Sequence, residues 1–392
     1  MKRLIIGRLV LPVKVLLRKG RGSFNIESSP GMIREQRMTL ESLGWSDFFR
    51  RNFSSEYAVK GLLPARVWRT SKQIYHILCE DGSYVARVSG NFRHRAQVSS
   101  DYPAVGDWVA VSLKPDGTEA EIRELLPRKT VFSRQAVSAS GTESKSAEQV
   151  IAANVDVAFL IASLDGRRGF SLRRLERYLT LTRNSGASPV VVLNKADLAE
   201  DPESAAEKAR EIAPGAPVHA VSAIEDEGVA SLRQYVNKAA TLVLLGPSGS
   251  GKSTIVNSLA GAELMRTSAV RRTDARGRHT TTWSELTVLN GGGILIDTPG
   301  LRDVQLWSGD TAVEETFAEL QEVASRCRFR DCQHSGEPGC AVAAAIESGE
   351  IEENRLVSFK KQKEEIAAAM RRRNHGEKLK HVKPPRPRRK KK

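Results

Sequence analysis

Two apolar runs, each ending in a loop suited to a different half of a nucleotide, constrain this chain most. Pro189-Val190-Val191-Val192-Leu193 runs into Asn194-Lys195-Ala196-Asp197. About fifty residues later, Leu242-Val243-Leu244-Leu245 runs into Gly246-Pro247-Ser248-Gly249-Ser250-Gly251-Lys252-Ser253-Thr254. The second loop satisfies G-x-x-x-x-G-K-[ST] between a predicted strand and a helix predicted from Lys252. Its glycines let backbone amides curl around phosphate at a helix N-terminus. Lys252 suits the β and γ phosphates, and the Ser253 hydroxyl suits Mg²⁺. A carboxylate such as Asp197 accepts two hydrogen bonds from guanine N1 and N2, a pair that adenine does not offer. Asn194 would brace the loops and contact the base, with Lys195 packed along the nucleotide. Val221-Ser222-Ala223, after the next predicted strand, can present a backbone amide to guanine O6. GTP or GDP with Mg²⁺ is the expected ligand.

Asp297-Thr298-Pro299-Gly300 closes the predicted strand Gly293-Ile294-Leu295-Ile296. Its carboxylate can hold Mg²⁺ through water, and the Gly300 amide can approach a γ-phosphate. Upstream lies Gly277-Arg278-His279-Thr280-Thr281-Thr282. Thr281 is the first candidate there for binding Mg²⁺ and sensing the γ-phosphate, and Thr282 the second. In Ras the residue after the glycine is a glutamine that orients water. Leu301 cannot do this, so His279 is the candidate for positioning the attacking water. A Ras-like domain also carries its phosphate loop before its base-reading loop. Here the order is inverted, with all the parts retained.

The rest of the chain reads as a multidomain protein. Residues 1–37 form a basic extension expected to be irregular. Residues 38–134 hold a short amphipathic helix (38–53) and then β-rich runs such as Ile74–Cys79 and Trp108–Val111, separated by turns such as Asp81-Gly82. About five strands in about eighty residues suit a small closed barrel, first an OB-fold, with an SH3-like barrel or sandwich fragment as alternatives. Residues 135–150 read as a Ser/Ala/Gly-rich linker ending in a helix start. Residues 151–306 alternate strands and helices, an α/β doubly wound domain with a helix at about 227–239 before the phosphate loop. Residues 307–373 are helical and end in a long charged helix (350–373), and 374–392 form a basic tail.

Cys327-x4-Cys332-x-His334-x5-Cys340 supplies three thiolates and an imidazole, a full tetrahedral set for one structural Zn²⁺. Cys79, in a predicted barrel strand, is expected in the core. With four cysteines in 392 residues, three of them in this cluster, metal in a reducing compartment is favoured over a disulfide scaffold. No apolar run reaches the ~18–20 residues that span a bilayer. Net charge is +15, concentrated at the ends. Residues 1–31 carry seven Lys/Arg against one acid, and residues 371–392 twelve against one. Such ends favour a polyanionic partner, nucleic acid first. Lys14, Arg18 and Lys19 interrupt the apolar N-terminal stretch, against a secretory signal. A start at Met32 or Met38, or a disordered arm, ranks above organelle targeting, so a cytoplasmic location is expected.

The inverted order, a barrel before it and a Cys3His cluster after it together resemble the RsgA (YjeQ/EngC) family of circularly permuted ribosome small-subunit biogenesis GTPases. The resemblance covers roughly residues 40–370. It rests on Ala104–Val109, Glu148–Asp156, Asn194–Asp197, Gly246–Thr254, Gly277–Thr282, Asp297–Gly300 and Cys327–Cys340. It implies an OB-fold that binds rRNA, a zinc domain that contacts the small subunit, and a monomer with a slow GTPase stimulated by that subunit. It implies 16S rRNA and neighbouring proteins as partners and hydrolysis that times release late in 30S maturation. His279 matches the family's proposed catalytic histidine, and Leu301 its hydrophobic residue. A GTP-gated rRNA-binding scaffold with incidental turnover is the alternative.

Overall fold

The structure is a computed structural model. It describes residues 39–71, 73–115, 117–135, 148–166, 170–237, 239–265, 284–297, 306 and 310–381, without the side chains of 135 and 372–381. The expected helix over 38–53 is instead a 3-10 turn, Glu41–Leu43, followed by α1, Asp47–Asn52. Gly44 breaks the run, since its φ of 88° ends the first turn in a left-handed conformation. A side chain there would also meet the Arg66 guanidinium. After α2 (Ser55–Val59) come β1 (Leu63–Ser71), β2 (Ile74–Cys79), β3 (Gly82–Val88), α3 (Gly90–Arg95), β4 (Trp108–Leu113) and β5 (Glu119–Leu125). The strands pair in the order β1-β2-β3-β5-β4, and β4 returns to β1 to close the barrel. Parallel pairing of β3 with β5 gives the Greek-key path of the OB class. Ala65, Ile77, Cys79, Val109 and Ile122 fill the barrel, and Phe92 of α3 joins that core.

β6 (Val131–Gln135) pairs antiparallel with β7 (Glu148–Ala153). The expected helix start near 150 is thus a strand. Val150, Ile151, Ala152 and Ala153 are all buried, and a run buried on both faces suits a strand better than a surface helix.

The central sheet is built from β8 (Val157–Ser163), α4 (Leu172–Ser185), β9 (Ser188–Asn194), α5 (Pro202–Ile212), β10 (Val218–Val221), β11 (Thr241–Leu245), α6 (Lys252–Ala260), β12 (Glu285–Val288) and β13 (Ile294–Asp297). Strand order is β10-β9-β8-β11-β13-β12, parallel except for β12. One face packs on α4 and α5, the other on α6. The helix expected at 227–239 is a 3-10 run, Val229–Tyr235. Only Val229 and Leu232 in it are buried, three apart, the repeat of a 3-10 turn. The helical part comprises α7 (Asp310–Thr316), α8 (Ala318–Ala324), α9 (Ala341–Glu347) and α10 (Glu353–His381). The last helix runs past the expected 373. Its first turns dock on α4, where Arg355 Nη1 donates to Glu176 Oε1 at 2.7 Å and the Arg355 guanidinium stacks over Phe317.

The barrel is joined to the sheet through Arg66, 1% exposed on β1. It donates to the Leu43 carbonyl, to Gly106 O at 3.3 Å, to Asn154 O at 3.4 Å and to Thr241 Oγ1 at 2.9 Å. Burial lowers its pKa to about 10, against the pull of Asp156 and Asp107, so it stays charged at neutral pH. The same seam explains Ala104–Trp108. A Cβ on Gly106 would stand 2.1 Å from Ala153 O, so only glycine fits. Asp107 Oδ2 accepts from Ala104 N at 2.7 Å and from Arg128 Nη2 at 2.7 Å. Arg66→Ala should leave several buried acceptors unpaired and cost about 3–5 kcal/mol in urea unfolding; a loss below about 1 kcal/mol would contradict this role for Arg66.

Candidate nucleotide and metal sites

β8, β9, β10, β11 and β13 run parallel, so their carboxyl ends open along one edge of the sheet. That edge is where ligands bind in open α/β sheets. Asn194 ends β9 and Val221 ends β10, while Leu245 ends β11 and Asp297 ends β13. Leu242 lies opposite Leu295, which carries Asp297 level with the end of β11, beside the phosphate loop.

Asn194 joins the two halves of the site. It is 2% exposed. Its Nδ2 donates to Ser250 O at 2.9 Å, inside the phosphate loop, and its Oδ1 accepts from Ala223 N at 3.1 Å. Here the Ala223 amide considered for guanine O6 is therefore given to Asn194. Ser222 is buried and exchanges backbone hydrogen bonds with Glu227, closing the loop after β10. Lys195 adopts a left-handed backbone (φ 65°), and its Nζ reaches Asp165 Oδ2 at 2.6 Å. Asp165 was not singled out in the sequence. An acid just past β8, beside Gly166, was the available signal. Asp197 sits exposed in a 3-10 turn, Ala196–Leu198. Leu198 and Ile224 are exposed on the loops after β9 and β10.

The phosphate loop has little room for side chains. A Cβ on Gly246 would lie 2.6 Å from Ile161 O, and one on Gly251 would lie 2.0 Å from Asn194 Nδ2. Gly249 and Gly251 have φ values of 83° and 91°, where L-residues are strained. Ser250 Oγ donates to Pro247 O at 3.0 Å. Lys252 folds over the loop, donating to Gly246 O at 2.8 Å and Pro247 O at 2.6 Å. Lys252, Ser253 and Thr254 form the first turn of α6, whose N-terminus faces the loop. Opposite Asp297 in the β12–β13 ladder stands Glu285, whose carboxyl is raised by burial and by Asp297. His279, Thr281, Thr282 and Gly300 lie outside the described residues.

Cys327, Cys332, His334 and Cys340 come together in the loop between α8 and α9, with ligand atoms within 4.8 Å of one another. A tetrahedral zinc with ~2.3 Å Zn–S bonds sets sulfurs about 3.8 Å apart, so the four fit one ion. Cys327 Sγ and Cys340 Sγ lie 3.7 and 3.5 Å from His334 Nδ1. His334 takes a left-handed φ of 55°. Burial and Lys360 lower its pKa, which favours the neutral, ligating form. Cys340 begins α9 and accepts from Ala343 N at 3.4 Å. Glu337 accepts from Gln333 N and Ser335 N and closes the loop, its carboxyl depressed to about 2 by these bonds.

The RsgA GTPase family model matches residues 125–307. The small ribosomal subunit biogenesis GTPase RsgA of Opitutus terrae is 45% identical over 344 residues, 86% of this chain and 92% of that protein. The protein of the same name from Syntrophotalea carbinolica is 41% identical, covering 85% and 91%. The chain belongs to the RsgA family. Two crystal structures share its fold at 24% identity. YjeQ from Thermotoga maritima has a TM-score of 0.56, over 78% of this chain and 99% of that one. YloQ, described as a circularly permuted GTPase, has a TM-score of 0.53, over 83% and 97%. The RsgA likeness therefore extends well beyond the nucleotide-binding sheet. Gly251→Ala should drive the Asn194 carboxamide off Ser250 and weaken GTP and GDP binding at least ~10-fold in a fluorescent-nucleotide titration; wild-type affinity would contradict the geometry.

Proposed function

We propose that this RsgA-family GTPase binds the small ribosomal subunit through 16S rRNA and neighbouring proteins, and hydrolyses GTP to time its release late in subunit maturation. The observation that carries the reading is the Asn194 carboxamide, which ties the base-reading loop to the phosphate loop across the permuted chain. Asp197 reads guanine, and Asn194 and Lys195 complete the base site, with Ala223 holding the Asn194 carboxamide. The Gly246–Thr254 loop holds the phosphates, with Lys252 moving from loop carbonyls to β and γ oxygens. Ser253, Thr281 and Asp297 are the proposed residues around Mg²⁺, which supplies charge neutralisation when bound. Gly300 senses the γ-phosphate, and His279 orients the attacking water in place of the absent glutamine. The barrel and the Cys3His unit, holding one Zn²⁺, form two RNA-contacting modules around one nucleotide site. A monomer in the cytoplasm fits this role.

One turnover assay tests the two chemical assignments together. Asp197→Asn should lose GTP affinity by roughly 100-fold and gain xanthosine triphosphate; unchanged GTP preference removes the guanine assignment. His279→Ala should keep GTP affinity and lose most turnover, and undiminished turnover ends its role. For the metal, the purified chain should carry one zinc by mass spectrometry. Cys332→Ser should lose most of it and melt at least about 5 °C lower. A metal-free wild type with the same melting point would refute a structural zinc.

A further inference from the structure

β8 lies between β9 and β11 in the central sheet, so the chain leaving its carboxyl end stands between the base-reading loop and the phosphate loop. Ser163, the last residue of β8, is level with Asn194, and the Leu164 amide donates to the Asn194 carbonyl at 2.9 Å. The next residue is Asp165. Its carboxylate accepts from Lys195 Nζ at 2.6 Å, and both side chains are largely shielded from solvent. A shielded lysine–carboxylate pair is held more firmly than an exposed one, because water and salt screen it less.

Lys195 is held from both sides. Its backbone is left-handed at φ 65°, a conformation that costs a non-glycine residue free energy and persists only where its surroundings fix it. On the backbone side stands Asn194, tied to Ser250 O and to the Ala223 amide. Asp165 takes the tip of the side chain. A lysine has a flexible four-carbon stem and loses much freedom when it is ordered. The contact with Asp165 supplies that order from the protein itself. An ammonium engaged at Asp165 is also withheld from Asp197, whose exposed carboxylate is the one that reads guanine.

We propose that Asp165 is a positioning residue for guanine-nucleotide binding, fixing the Lys195 ammonium at the end of β8 so that the lysine stem is set for contact with the nucleotide. This rests on the reading that Lys195 packs along the nucleotide. An acid in this place lowers the ordering cost of binding and leaves base choice to Asp197.

The test is a titration of the full-length protein with fluorescent GDP, alongside thermal unfolding. Asp165→Ala should weaken GDP binding about tenfold, with a melting temperature within about 2 °C of wild type. Asp165→Asn keeps an acceptor for the Lys195 ammonium and should bind within about threefold of wild type. Lys195→Met removes the group that Asp165 holds. The double variant, Asp165→Ala with Lys195→Met, should then bind within about twofold of Lys195→Met alone, because residues that act through one another are not additive. Wild-type affinity in Asp165→Ala would overturn the proposal. So would losses that multiply in the double variant, which place the effect of Asp165 elsewhere. If Asp165→Ala does not fold, Asp165→Ser takes its place in every arm and is judged by the same results. Competition of GDP and ADP for the wild-type site separates the two readings. If ADP displaces the probe as well as GDP does, the guanine reading fails, and Asp165 is still judged by the same double-variant comparison.

Discussion

Parallel pairing is the constraint on which the rest of this structure depends. Because β8, β9, β10, β11 and β13 run the same way, the loops that follow them open on one edge, whatever their order in the chain. Cutting and rejoining the chain therefore leaves the site intact, provided that β8 and β11 keep their register. Leu242 opposite Val157 through Leu245 opposite Leu160 maintains it. Asn194 completes the assembly, with one carboxamide satisfied by the phosphate loop on one side and by the loop after β10 on the other. A buried amide in such a position is costly to leave unpaired, so each loop holds the other in place.

The permutation decides what lies next to the site in sequence. The barrel leads into the sheet through β7 and the Asn154–Asp156 segment, with Arg66 and Gly106 closing the seam. Asp297 comes late, and the chain beyond it reaches Leu306 and then the helical unit. Arg66 on one side, and Arg355 and Glu365 on the other, are charged groups through which the flanking parts grip the sheet. Each has several partners.

The parts legible in the sequence were those specified locally. The phosphate loop, the Asn-Lys-x-Asp segment, the strands at 189–193 and 242–245 and the Cys3His cluster follow from spacing and periodicity alone. Cys79 fell in the barrel core for the same reason, as an apolar position in a strand. The misses have long-range or conformational causes. Gly44 splits the first helix because its left-handed turn is packed against Arg66, which is distant in sequence. Residues 229–235 wind as 3-10, with Val229 and Leu232 buried three residues apart, the repeat of a 3-10 turn. The strand at 148–153 exists because it is covered on both sides, one of them by Val105 of the barrel segment. Asp165 and Glu365 carried no motif, since their partners Lys195, Arg177 and Leu306 meet them only in the folded chain.

In the proposed function, one nucleotide site held between two flanking modules answers to the small ribosomal subunit. The most direct measurement is single-turnover GTP hydrolysis by the full-length protein, alone and with purified small subunits. Hydrolysis should be slow alone and at least ~10-fold faster with subunits, a barrier lowered by about 1.4 kcal/mol or more. The same rate in both conditions would contradict it.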